Sequence, residues 1–177
     1  ESSETTGSKT ILIAKITGKK YLWEPFSNKY SGIYNISRNI YKNTIGNKVI
    51  FEEINHDLNI EFSYQWNSSN KYGFVRKSFL KNNSKNDITI NILDGIQNIL
   101  PYGVGEGLQN AQSNLVDAYK KCELEQKSKI GIFSLSAIIV DKAEPSEALK
   151  ANTVWTTETN NTKHLLSSLQ LDDFRKG

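Results

Sequence analysis

At 177 residues, with 22 basic and 19 acidic side chains and a net charge of +3, the chain is long enough for one substantial core and carries no run of five or six like charges. These numbers argue against a nucleic-acid partner held by a basic face, and no apolar run reaches the length of a membrane span. The single cysteine, Cys122, excludes an internal disulfide framework and a cysteine-rich metal site.

The opening ESSETTGS, residues 1–8, is small and polar and reads as a flexible tail. No methionine occurs, even at position 1, which points to a processed or trimmed chain and leaves export of the parent protein open. TILIAKI, residues 10–16, predicts a strand, and GKKYLW turns back beside it. Residues 24–47 mix aromatic and turn-forming residues and predict irregular chain with short strands. From Val49 a two-residue period sets in. In IEFSYQW, Ile60, Phe62, Tyr64 and Trp66 fall on one face and Glu61, Ser63 and Gln65 on the other, the pattern of a half-buried strand. NSSNKYG then supplies a turn, and FVRKSFL returns with Val75 and Phe79 on one face and Phe74 and Leu80 on the other.

DITINIL places Ile88, Ile90 and Ile92 together and leads into a corner rich in glycine and amides, ILDGIQNILPYGVGEGLQNAQSN. Beyond it Leu108, Ala111, Leu115, Ala118, Tyr119 and Cys122 recur at helical spacing, predicting one helix of about five turns in which Cys122 packs and Asp117 pairs with Lys121. Strands are expected at residues 130–140 and 149–156, with a solvated connector at 141–150 between them. KHLLSSLQLDDF begins a further helix, and the close at RKG predicts continuation into a longer protein. The order describes a mainly β fold, an antiparallel sandwich of two packed sheets with one side helix. Its expected parts are a tail at 1–8, the β-sandwich domain at 9–160, and the start of a linker or helix at 161–177.

The chemistry of the corner has competing readings. Gly95, Gly103, Gly105 and Gly107 only superficially resemble a phosphate loop, because Gly107 is followed by Leu108, Gln109 and Asn110 rather than by Lys and Ser or Thr. Turn formation is the stronger reading, with Pro101 holding Leu100 extended. Asp94 and Glu106 form a conceivable acid/base pair for sugar chemistry. Asp94 more simply bonds backbone groups of the DGIQN turn, while Glu106 complements the start of a helix.

Gln97, Asn98, Gln109 and Asn110 offer donors and acceptors that suit sugar hydroxyls as well as internal networks; buried or loop-holding amides are the leading reading, contact with an adjoining domain the second and ligand contact the third. Trp23, Trp66 and Trp155 could provide a stacking platform for pyranose rings, with Trp23 and Trp66 the candidates, but Trp66 and Trp155 lie within alternating strands, where core packing is the default. His56 and His164 lack ligand spacing, so no metal is expected, nor is any cofactor.

The runs FEEINHDLNIEFSYQWNSSNKYGFVRKSFLKN, ILDGIQNILPYGVGEGLQNAQSNLVDAYKK and SLSAIIVDKAEPSEALKANTVWT resemble the amino-terminal domain of large bacterial proteins labelled cellobiose phosphorylases. These are related to inverting carbohydrate phosphorylases and to glycoside hydrolases with an α/α barrel. The similarity covers residues 45–177. It implies an antiparallel β-sandwich of the large mutarotase-like, or supersandwich, type. A C-terminal α/α barrel of the same chain would then carry the catalysis and be the domain's partner, with a second copy as a further partner. No catalytic residue carries over. The leading expectation is a non-catalytic structural and domain-packing module. The alternative is a carbohydrate-binding module that recognises glucosides through exposed aromatic and amide side chains, and a self-contained sugar enzyme comes third.

Overall fold

The computed structural model describes residues 2–140, 146–157 and 162–177. Part of the expected connector, residues 141–145, and the expected boundary at 160/161 lie outside the described residues. The fold is mainly β, with three antiparallel sheets and a minor helical component. The chain divides into two compact units, one built mainly from Ser8–Gly95 and including Glu4, the other from Thr5–Gly7 and Ile96–Lys176.

In the first unit, β1 (Gly7–Ile16) and β2 (Lys19–Trp23) form a hairpin with Leu12 opposite Trp23, and β7 (Thr89–Gln97) joins them in the order β2-β1-β7. A second sheet of four strands runs in the order β3-β4-β5-β6 (Ile36–Lys42, Lys48–Asn55, Ile60–Ser69, Gly73–Asn82). β3 is one of the short strands expected within residues 24–47. Its ladder is supplied by pairing along all seven residues with β4, and local turn formers upstream hide that non-local gain.

The alternation read in β5 is real. Ile60 and Phe62 are fully buried in a cluster with Leu12, Ala14, Trp23 and Leu58, half-buried Tyr64 packs against that cluster, and Trp66 is half-buried on the same face of β5. Each large apolar side chain withdrawn from water there contributes on the order of 2 kcal/mol. The β5–β6 hairpin pairs from Ser69 opposite Gly73 out to Ile60 opposite Asn82, and Ile88 and Ile90 close the core from one side. Ile92 departs from its expected partners and is 45% exposed.

The tail is more ordered than its composition suggests. Ser2–Thr5 forms a helical turn, and the Glu4 carboxylate accepts from Lys9, from the Ser27 hydroxyl and from the Asn28 N–H. Polar composition conceals this, because the chain is tied down by a charge and not by apolar burial.

In the second unit the single long helix does not form. Residues 106–119 make two short helices, α2 (Glu106–Ala111) and α3 (Ser113–Tyr119), broken at Gln112 with φ −141° and ψ 42°. Asn110, Ser113 and Asn114 flank the break and have poor helix propensity. The chain then becomes β8 (Lys120–Glu125), paired with β9 (Ile130–Leu135), which also pairs with β10 (Ala151–Val154). Cys122 is thus an exposed strand residue and not a packed helical one. Asp117 pairs with Lys120 at 2.7 Å, not with Lys121. Val116, Phe133 and Leu135 are buried in this unit, and α4 (Gln170–Lys176) begins later than the sequence predicted. Among the described residues no helix is long and apolar enough to cross a membrane.

Candidate ligand face on the four-stranded sheet

The register of the four-stranded sheet sorts its residues into two faces. Core residues Ile60 and Phe62 lie with their partners Asn55 and Glu53 on the inner face. On the outer face Tyr41, Ile50, Gln65 and Lys77 stand in one cross-strand row, and Asn39, Glu52, Ser63 and Phe79 in the next. No outer-face residue of these rows is fully buried. Tyr41 and Phe79 are 50% and 51% exposed, whereas Ile50 and Ile54, in the rows on either side of Glu52, are half-buried. With three strand spacings between β3 and β6, the two rings sit roughly 15 Å apart across the sheet.

Between the rings lies a polar strip. Glu52 Oε1 accepts the Asn39 amide at 2.9 Å and the Tyr41 hydroxyl at 3.0 Å. That hydrogen bond, with some burial and the nearby Glu52 and Glu61 charges, holds the Tyr41 phenol above its ordinary range. Gln65 donates to the Asn67 amide oxygen on the same face. Glu61, one row further, is met by Lys81 at 3.5 Å and by the Asn83 amide at 3.4 Å. Aromatic planes beside amides and a fixed carboxylate give a surface that can stack on a sugar ring while bonding its hydroxyls.

The residues singled out from sequence fall elsewhere. Trp23 is 3% exposed, and its indole N–H donates to Glu53 at 2.9 Å, so it is a core residue and offers no ring face to a ligand. The burial follows from the β1–β2 hairpin, which turns the residue opposite Leu12 inward. Trp66 is half-buried on the inner face, opposite Val49 and Arg76. Gln97, Asn98, Gln109 and Asn110 all belong to the second unit. Asn98 there donates to Thr6 and accepts from Lys120, while the Gln109 Oε1 is buried without a hydrogen-bond partner. Asn110 is exposed, and Gln97 is half-buried.

Asp94 is not a turn-holding residue. It lies within β7 and accepts from Arg76, Thr10 and Ser78 side chains, because the strand continues through the DGIQ sequence where a turn was expected. Gly95 is part of that strand, Pro101 is buried, Gly103 has φ +88°, Gly105 caps α2 and Gly107 lies inside it. Glu106 opens α2 and is exposed.

A small cavity of about 60 Å³ is lined by Trp23, Tyr34, Arg38 and Glu53 among others. Its central carboxylate, Glu53, already accepts from Trp23, the Phe26 N–H and Arg38, so it is committed to holding the fold. Among the described residues no group of three or more His, Cys, Asp and Glu is placed to hold a metal ion.

Sequence reasoning did not single out Tyr41, Glu52 and Phe79 as candidate site residues. The signal was present in the polar members of the alternating strands: Gln65 and Ser63 had been separated from the core face, but their neighbours on β3 and β4 depend on register, which no local pattern reveals. Compared with protein-family models and with curated proteins, the chain matches none of them.

Proposed function

We propose that the outer face of the four-stranded sheet binds carbohydrate, making the chain a binding module. The observation that carries this reading is the pairing of two half-exposed rings, Tyr41 and Phe79, with the intervening strip of Asn39, Glu52, Ser63 and Gln65 on one face. Rings about 15 Å apart suit a short oligosaccharide better than a single sugar, one ring contact at each end and hydroxyl contacts between. The sequence resemblance supports glucosides as the ligand and an accessory position beside a catalytic α/α barrel. In the same reading the two sheets of the first unit, which share one core cluster, belong to a sandwich of the mutarotase-like type.

The test is affinity electrophoresis of the 177-residue chain through gels containing a soluble neutral glucan. Retardation that Tyr41→Ala and Phe79→Ala each reduce supports the reading, each ring being worth about 1 kcal/mol. Unretarded migration in every neutral polysaccharide tried sinks it.

A second reading, a domain-packing role, is favoured by Leu149 and Leu169 in the second unit, which are 86% and 84% exposed. Exposed large apolar side chains gain most when a neighbouring surface covers them. Replacing both by serine and finding unchanged association with the rest of a longer chain would remove that support.

A further inference from the structure

We propose that Glu52 sets the charge selectivity of this face, admitting uncharged, hydroxyl-rich sugars and rejecting acidic ones. The inference rests on the carbohydrate reading above and adds the class of sugar and the residue that chooses it.

Both hydrogen bonds to the Glu52 carboxylate fall on Oε1, from Asn39 and from Tyr41. The second oxygen, Oε2, is left as an acceptor on a side chain already fixed in orientation. Two donors on one oxygen restrain the carboxylate, so little further side-chain freedom is lost when a ligand hydroxyl donates to the other. Among the described residues no cation pairs with Glu52, whereas its neighbour Glu61 has Lys81 at 3.5 Å. The remaining charged members of these rows and the next are Lys77, beyond Gln65, and Lys48, opposite Asn67. Glu52 lies on β4 between the two ring-bearing strands, next to Tyr41, and therefore faces the Tyr41 half of any sugar chain that touches both rings.

An ionised carboxylate accepts hydrogen bonds and donates none. A neutral sugar meets it with hydroxyl donors. A uronic acid brings a second carboxylate toward it, and a like charge on a partly desolvated face is repelled. The selectivity thus comes from an attractive contact for one class and a repulsive one for the other.

Glu52→Gln tests this directly, since the amide keeps the side-chain shape and an oxygen for Asn39 and Tyr41 while removing the charge and turning the free acceptor into a donor. Binding of a neutral glucan hexasaccharide and of an oligogalacturonate of equal length is measured on the wild-type chain, on Glu52→Gln and on Tyr41→Ala/Phe79→Ala. Wild type should prefer the neutral probe, and Glu52→Gln should bind it about tenfold more weakly while gaining affinity for the acidic one. Unchanged melting of Glu52→Gln shows that the fold is intact. A wild-type preference that Glu52→Gln leaves unaltered, with binding still lost in the double ring variant, overturns the role of Glu52 and leaves the ligand face standing. Binding of neither probe by wild type overturns both.

Discussion

Arg76 and Asp94 face each other through two parallel hydrogen bonds, Nη1 to Oδ2 at 2.8 Å and Nη2 to Oδ1 at 2.9 Å. The guanidinium also lies 4.8 Å from the centre of the Tyr64 ring, and Ser8, Thr10 and Ser78 complete the group. Strands β1, β5, β6 and β7 are therefore tied at one point by a planar fork that lysine cannot reproduce.

Arg76 is 7% exposed at its side chain and Asp94 20%, so removing one partner strands the other out of water. Arg76→Ala should destabilise the chain by about 3 kcal/mol, and Arg76→Lys should recover only part of that loss. Chemical denaturation of the two variants checks it, and equal midpoints for wild type and Arg76→Ala would refute the strut.

The N-terminal carboxylate gives a pH-dependent counterpart. Burial alone would raise the pKa of Glu4, but hydrogen bonds from Lys9, the Asn28 N–H and Ser27, with the Lys9 charge, outweigh it and hold the group at about 2. A folded-state pKa below the unfolded value means stability that is present above pH about 4.5 and is lost as the pH falls toward 2. Thermal melting of wild type and Glu4→Gln should differ at pH 6 and converge between roughly pH 4.5 and 2. A gap that is constant with pH would contradict the assignment.

The corner glycines separate in the same way. Gly103 has φ +88°, where a β-branched side chain is strained, while Gly105, with φ −83° and ψ 165°, adopts an extended shape open to any residue. Gly103→Val should cost about 2 kcal/mol and Gly105→Val less than about 1 kcal/mol. Melting temperatures that fall equally in both would show that backbone angle is not the cause.

Much of the first unit was legible because its strands alternate. Phe62 and Tyr64 declare an inner face against Glu61 and Ser63, and the NSSNKYG turn announces the hairpin that follows. The second unit was misread where two periods overlap. Leu115 and Tyr119 keep helical spacing because they lie in α3, but Cys122 continues that spacing only by coincidence, since it lies opposite Phe133 in the β8–β9 hairpin. The site was illegible for a related reason. Tyr41, Glu52 and Phe79 come from three strands, and only the register brings them onto neighbouring rows. Tryptophan, the residue type most suggestive of sugar stacking, misled because Trp23 serves the core and hydrogen-bonds Glu53.

Calorimetric titration of a neutral glucan hexasaccharide into the wild-type chain and into Tyr41→Ala/Phe79→Ala tests the ligand face most directly. Saturable binding with one site per chain, lost in the double variant at unchanged melting temperature, is the predicted result. Heats that stay at the dilution level for wild type, or binding undiminished without the two rings, would contradict it.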